Sequence, residues 1–178
     1  PDPLSAVPSL DSDGHGTRMA AAAAGYSEDP AFSGAAPQAG LLIVRLRPAS
    51  QYLRDFYLIR DGVPAFQEND IMLGVKYLLS AARALNRPLV VLLGLGTNTG
   101  SHNGTSPLAL YLASQNRSGG LVIVTAAGNE TGFGHHYRGR TEAEETFEDV
   151  ELRVGEEETG FTLEFWARES ELYSVGFL

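Results

Sequence analysis

Asp11-Ser-Asp-Gly-His-Gly-Thr-Arg-Met-Ala-Ala-Ala-Ala-Ala-Gly25 is the stretch from which the rest of this chain can be read. Alanine has the highest helix propensity of any residue, Asp13 is placed to cap a helix starting near His15, and Gly25 suits a left-handed terminating position. A nearly all-alanine body offers no wide polar face. The stretch therefore predicts a helix buried tightly against its neighbours, with one imidazole at its entry. The positive end of the helix dipole disfavours imidazolium there and favours the neutral ring that a general base requires. Taken alone, His15 also reads as a capping or merely polar histidine beside a turn, since a single-residue motif has little specificity.

Outward from this helix, Gly40-Leu-Leu-Ile-Val-Arg-Leu46, Pro88-Leu-Val-Val-Leu-Leu-Gly94 and Gly120-Leu-Val-Ile-Val-Thr-Ala126 are short apolar runs bounded by Gly or Pro. Runs apolar on both faces suit buried parallel strands. Between the first two, Asp70 to Asn86 places Ile71, Val75, Leu78, Leu79, Ala82 and Leu85 at helical spacing, with Asn69 or Asp70 able to cap the start. A shorter crossover from about Ser106 to Asn116 puts Leu108, Tyr111 and Leu112 on one face. Alternating strands and helices predict an α/β fold with a right-handed parallel sheet.

The character of the chain changes near His136. Residues 1–136 carry 9 basic and 10 acidic side chains, residues 137–178 carry 4 and 12, so most of the formal charge of −9 lies in the second segment. There, Phe147–Val154, Gly160–Trp166 and Leu172–Leu178 read as antiparallel strands with one wetted face, the start of a β-sandwich or jelly roll. Two units are expected, 1–136 and 137–178. Pro1 in place of methionine and a strand-like run ending at Leu178 read as cut ends, and three strands with an open edge suggest that more of the sandwich follows.

Composition excludes several functions. At 43% hydrophobic and 20% charged the chain can bury a core and is not wholly disordered. Its acidity, with a sequence pI near 4.8, argues against general binding to nucleic acid or anionic membrane. No apolar run approaches a membrane span. The absence of cysteine removes disulfides, thiolate zinc sites and a cysteine nucleophile, but leaves the compartment open.

Three motifs in order carry a family resemblance. Asp-x-Asp-Gly-His-Gly-Thr-x-x-Ala resembles the histidine motif of subtilisin-like serine proteases. Ser33-Gly-Ala-Ala-Pro-Gln-Ala-Gly40 is similar to that family's Gly-x-Ala-Pro-x-Ala turn, and Thr125-Ala-Ala-Gly-Asn-Glu130 to its oxyanion-asparagine motif. The region 52–86, Gly94–Gly104 and the β-rich run after His135-His136-Tyr137 further resemble the clostridial spore-germination branch, whose members carry a jelly-roll insertion. That branch implies a bacterial, spore-associated or secreted setting.

What the resemblance implies is specific. His15 becomes the general base and then the general acid of acyl transfer on a peptide bond, and Asn129 the oxyanion donor. Gly94, Leu95 and Gly96 match the edge where a peptide substrate pairs as an added strand, with Ala127 and Gly128 along the substrate wall. The family has Ser-x-Gly where this chain has Gly94-Leu95-Gly96, so one hydroxyl is missing. Read without the family, Ala126-Ala127-Gly128-Asn129 is a strand-to-turn junction with glycine at a positive φ, and Gly94–Gly96 a glycine-rich turn.

The triad's aspartate and serine have no match. Asp11 and Asp13 lie too close in sequence to His15 to orient its ring from behind. Gly104-Thr-Ser-Pro-Leu-Ala109 imitates the nucleophile motif, but Ser106 precedes Asn129 and reads as a helix cap. The chain is thus expected to be an inactive piece of a larger protease, whose alternative is a catalytically degenerate subtilase-like scaffold binding a protein or sensor ligand. Gly94–Gly100 is a poor dinucleotide loop, because no helix starts at its glycines and no acid follows about 20 residues on. His102, His135 and His136 read as loop histidines rather than metal ligands. No cofactor is required. The resemblance leaves room for structural calcium, which subtilisin-like proteases often bind, but no dense carboxylate loop locates a site for it. Whether a propeptide assists folding is left open.

Overall fold

The computed structural model describes residues 9–117, 119–140, 147–168 and 170–177. In chain order the elements are helix α1 (His15–Ala24), a 3-10 turn (Pro30–Phe32), helix α2 (Gln51–Phe56), helix α3 (Glu68–Ala84), strand β1 (Leu89–Leu93), helix α4 (Pro107–Gln115) and strand β2 (Leu121–Thr125). β1 and β2 pair in parallel, from Leu89 opposite Leu121 to Leu93 opposite Thr125, with α4 as the crossover. Both strands lie within a residue of the apolar runs that predict them. Proline lacks the ladder N–H and glycine weakens a strand, so Pro88 and Gly94 bracket β1 and Gly120 precedes β2.

One face of this pair holds the core. Leu89, Val91 and Leu93 point to the same side as Leu121 and Ile123, and they meet Val75, Leu78 and Leu79 of α3 and Tyr111 and Leu112 of α4. α3 starts two residues before the expected Asp70, after Gln67, and no side chain caps it. It ends before Asn86, whose φ of 50° is a left-handed conformation that asparagine tolerates. Leu79 lies at the centre of the packed face, so Leu79→Ala is expected to cost about 2–5 kcal/mol. A lowered urea midpoint at unchanged slope reads that loss.

The opposite face differs from expectation. Val90 and Val122 are 68% and 52% exposed, so among the described residues the strands are covered on one side only. The first apolar run differs too. Leu42, Val44 and Leu46 are half-buried and Leu41, Ile43 and Arg45 exposed, the two-residue alternation of an extended chain, yet residues 40–46 form no strand. Extended backbone becomes a ladder strand only with a partner, and this run is instead seated on α3. A methyl built on Gly74 would lie 3.1 Å from Val44 Cγ1, and Arg47 pairs with Asp70 at 3.3 Å. Just beyond, Pro48 bridges Phe66 in antiparallel fashion.

The acidic segment forms no strand among its described residues, so the antiparallel ladders expected at 147–154, 160–166 and 172–178 are not realised here; Leu178 itself lies outside the described residues. Its apolar side chains, including Phe147, Phe161, Phe165 and Trp166, are exposed. Two polar contacts return it to the α/β part: Arg60 pairs with Glu158 at 2.6 Å, and Glu164 accepts from the Gly100 N–H at 2.7 Å. The Gly100 N–H, which contributes most, and the indole N–H of Trp166 hold the Glu164 carboxyl below its usual range.

Candidate active site

The entry of α1 is a knot around one carboxylate. Asp11 Oδ1 accepts from the backbone N–H of Gly14 at 2.8 Å and of Asp13 at 3.2 Å, while Oδ2 accepts from the Thr17 N–H at 2.8 Å and the Thr17 hydroxyl at 2.7 Å. Gly14 turns the chain at φ 83°, a conformation glycine adopts at no steric cost. Asp13, expected as the cap, accepts a single bond at Oδ1 from the His15 N–H at 3.1 Å. The correction follows from reach: Asp11 lies far enough back to meet N–H groups on both sides of His15. The Thr17 hydroxyl, then the Gly14 and Thr17 N–H groups, hold the Asp11 carboxyl well below its ordinary value of 3.8. A depressed carboxyl confers stability that is complete above the ordinary value and is lost as pH falls below it.

At its other end α1 is closed by the Ser33–Pro37 turn. Gly34, Ala35 and Ala36 donate to the carbonyls of Gly25, Ala22 and Ala23 at 2.8, 3.0 and 2.8 Å. Any side chain at Gly34 would sit 2.6 Å from Ala21 O. Gly25 is extended, φ −63° and ψ 140°, rather than left-handed; it is needed because a methyl there would meet Ala21 O at 2.6 Å. No residue of α1 is fully buried, contrary to the expectation for an alanine helix, because contact is confined to the side bearing Met19, Ala20, Ala23 and Ala24.

From this helix His15 reaches the carboxyl end of β1, where its Nε2–H donates to the Gly94 carbonyl at 3.0 Å. A carbonyl only accepts, so the neutral ring in this arrangement keeps its lone pair on Nδ1. A methyl on Gly94 would lie 3.0 Å from Met19 Cε and 3.3 Å from His15 Nε2. The missing family hydroxyl thus corresponds to space taken by α1. Beyond Gly94, Leu95 is half-buried and Gly96 exposed, past the end of β1.

The neighbouring strand ends at the same edge. Ala126 N–H donates to Leu93 O at 3.4 Å, continuing the parallel pairing one step past β2. Ala127, Gly128 and Asn129 follow, all exposed, with Gly128 at φ 87° as the strand-to-turn reading requires. The structure therefore brings His15 onto Gly94 and leads Ala127–Asn129 away from the adjacent strand end. Carboxyl ends of parallel strands are where open α/β sheets bind ligands.

The loops beyond are linked. His135 Nδ1–H donates to Glu130 at 2.5 Å, the Asn98 amide donates to Glu130 at 3.4 Å, and His102 Nε2–H donates to Asn98 O at 3.0 Å. The rings of His102 and His136 stack 4.5 Å apart. Among the described residues, no three His, Asp or Glu side chains are grouped to hold a metal ion. Ser106 caps α4, its hydroxyl accepting from Ala109 N–H at 3.2 Å with Pro107 as first helical residue. Ser106→Ala is expected to cost about 0.5–2 kcal/mol in thermal unfolding, and to leave reaction with a serine-directed phosphonate untouched.

Comparison with known proteins identifies the fold. A sequence model of the subtilase family, Peptidase S8, matches residues 2–152, and the chain belongs to that family. One solved structure to which it is similar is the Clostridium perfringens CspB protease, at 34% identity and a TM-score of 0.61. The match covers 72% of this chain and 26% of that one. No curated protein matches the chain. Among the described residues, no helix is long and apolar enough to cross a membrane.

Proposed function

We propose that this chain supplies the general-base and oxyanion part of a serine endopeptidase that hydrolyses peptide bonds through an acyl-enzyme. The observation that carries the reading is the seating of His15 on Gly94, at the sheet edge from which the Ala127–Asn129 loop also departs. His15 takes the proton of the attacking serine and returns it to the leaving amine. Asn129 donates its amide to the oxygen of the tetrahedral intermediate, and among the described residues that amide has no hydrogen-bond partner. Gly94, Leu95 and Gly96 offer extended main chain to the substrate, with Ala127 and Gly128 beside it.

The aspartate and the nucleophilic serine come, in this reading, from outside residues 1–178 of a longer protein, and residues 137–178 open an inserted β-rich unit. The apolar sheet face bearing Val90 and Val122 supports this reading, since strands apolar on both sides are covered on both in parallel sheets. A carboxylate arriving at His15 Nδ1 draws the ring proton there and frees Nε2 from Gly94 to act on the serine.

The test is to treat the intact protein containing this chain with a serine-directed phosphonate and locate the adduct. Attachment to a serine outside 1–178, lost in His15→Ala, supports the protease reading. Absence of labelling in the unsubstituted protein replaces it with the non-catalytic scaffold.

A further inference from the structure

We propose that Asp11 is the positioning residue that aims His15, acting through the entry of α1 on the general base of the protease reading, on which this inference rests. Each oxygen of its carboxylate accepts two donors, and these fall on both sides of the histidine: Gly14 N–H immediately before it and Thr17 N–H two residues after. The Cα of His15 cannot swing without breaking one arm of the staple. The ring tip is held independently, 79 residues along the chain, at the Gly94 carbonyl. A fixed root and a fixed target leave the imidazole little choice of rotamer. Asp13 gives no such constraint, having one bond, to the His15 N–H itself.

Asp11 is not the triad carboxylate. Both of its oxygens are occupied by Gly14, Asp13 and Thr17, and neither bonds the imidazole. Its charge matters through those donors: four converging N–H and O–H groups require an acceptor at both oxygens. In Asp11→Asn one oxygen becomes an NH2 group directed at donors, which opens one arm of the staple while the side chain keeps its shape. Thr17→Val removes one donor and leaves the backbone arms in place. Misplacing a reacting group by about 1 Å costs on the order of 10²-fold in rate.

The experiment compares the intact protein with its Asp11→Asn and Thr17→Val variants, each confirmed folded at the assay temperature. For Asp11→Asn, kcat is expected to fall about 10²-fold with KM nearly unchanged, because Asp11 holds the base and not the substrate; Thr17→Val is expected to lie between. A second readout is independent of turnover. In protein labelled with 15N-histidine, the ring 15N resonances of His15 are expected to shift and broaden in Asp11→Asn as the ring loses its fixed orientation, while those of His102, donating to Asn98 O, stay. An unchanged kcat and an unchanged His15 resonance in the folded variant overturn the inference. So does a loss of kcat that only tracks the unfolded fraction. Should the unsubstituted protein hydrolyse nothing, the protease reading fails, and the His15 resonance still decides whether Asp11 aims the ring.

Discussion

On the proposed protease reading, replacing His15 by alanine in the intact protein is expected to reduce kcat by several powers of ten while leaving the fold standing. The removal of the general base from subtilisin costs about 2 × 10⁶ in kcat, which sets the scale for a base acting as one unit with its nucleophile. The fold should survive because the ring is exposed and makes one hydrogen bond, to Gly94, whereas α1 is held at its entry by Asp11 and at its exit by Gly34–Ala36. Alanine is also the best helix former and extends the run that follows. Binding should persist as well, since β1, from which Gly94–Gly96 continue, is held by its pairing with β2 and not by the imidazole. The expected result is therefore an intact thermal transition, near-normal KM and turnover below about 10⁻³ of the original. A variant keeping more than a tenth of its activity would remove His15 from the chemistry.

How far the sequence discloses such a site depends on how local its physics is. β1 and β2 are legible almost to the residue, because glycine and proline punctuate runs of Val, Ile and Leu whose composition admits little else. α3 is legible because Val75, Leu79 and Ala82 recur at helical spacing, although its start is misplaced by two residues where no side chain caps it. Residues 40–46 look equally strand-like, yet a strand needs a partner, and pairing is not written in the run itself. The same holds for 147–154 and 160–166, where alternation gives an extended chain but not a ladder. At the candidate site, motif alone singles out His15, Gly94 and Asn129. The reason for Gly94 is not legible there, because the space beside it is closed by Met19 from a helix far away in sequence. The knot at Asp11 is legible only in its i+2 bond from Asp13 N–H, an Asx turn, because the reach to Thr17 depends on how the helix entry folds back.

Asn129→Ala is expected to lower kcat by about 10²–10³, a loss of about 2.7–4 kcal/mol in transition-state stabilisation, the range measured for one oxyanion donor in subtilisin. In the proposed role the effect belongs to kcat, because the amide would meet charge that exists only after the nucleophile has added to the carbonyl, and the ground-state complex would scarcely notice its loss. Geometry protects the comparison. The side chain is exposed and bonds no described residue, while the turn that carries it is set by Gly128 at φ 87° and by the Ala126–Leu93 hydrogen bond, none of which the substitution touches. Asn129→Asp sharpens the test, since it is nearly isosteric but offers acceptors and a negative charge where negative charge develops. It should be slower than the alanine variant at neutral pH and recover part of the difference as acid protonates the carboxyl, an ordering that simple loss of packing does not produce. Equal rates for Asn129→Ala and the unsubstituted protein would mean that another donor meets the oxyanion, and the Ala127–Asn129 loop would then be a wall of the groove and no more.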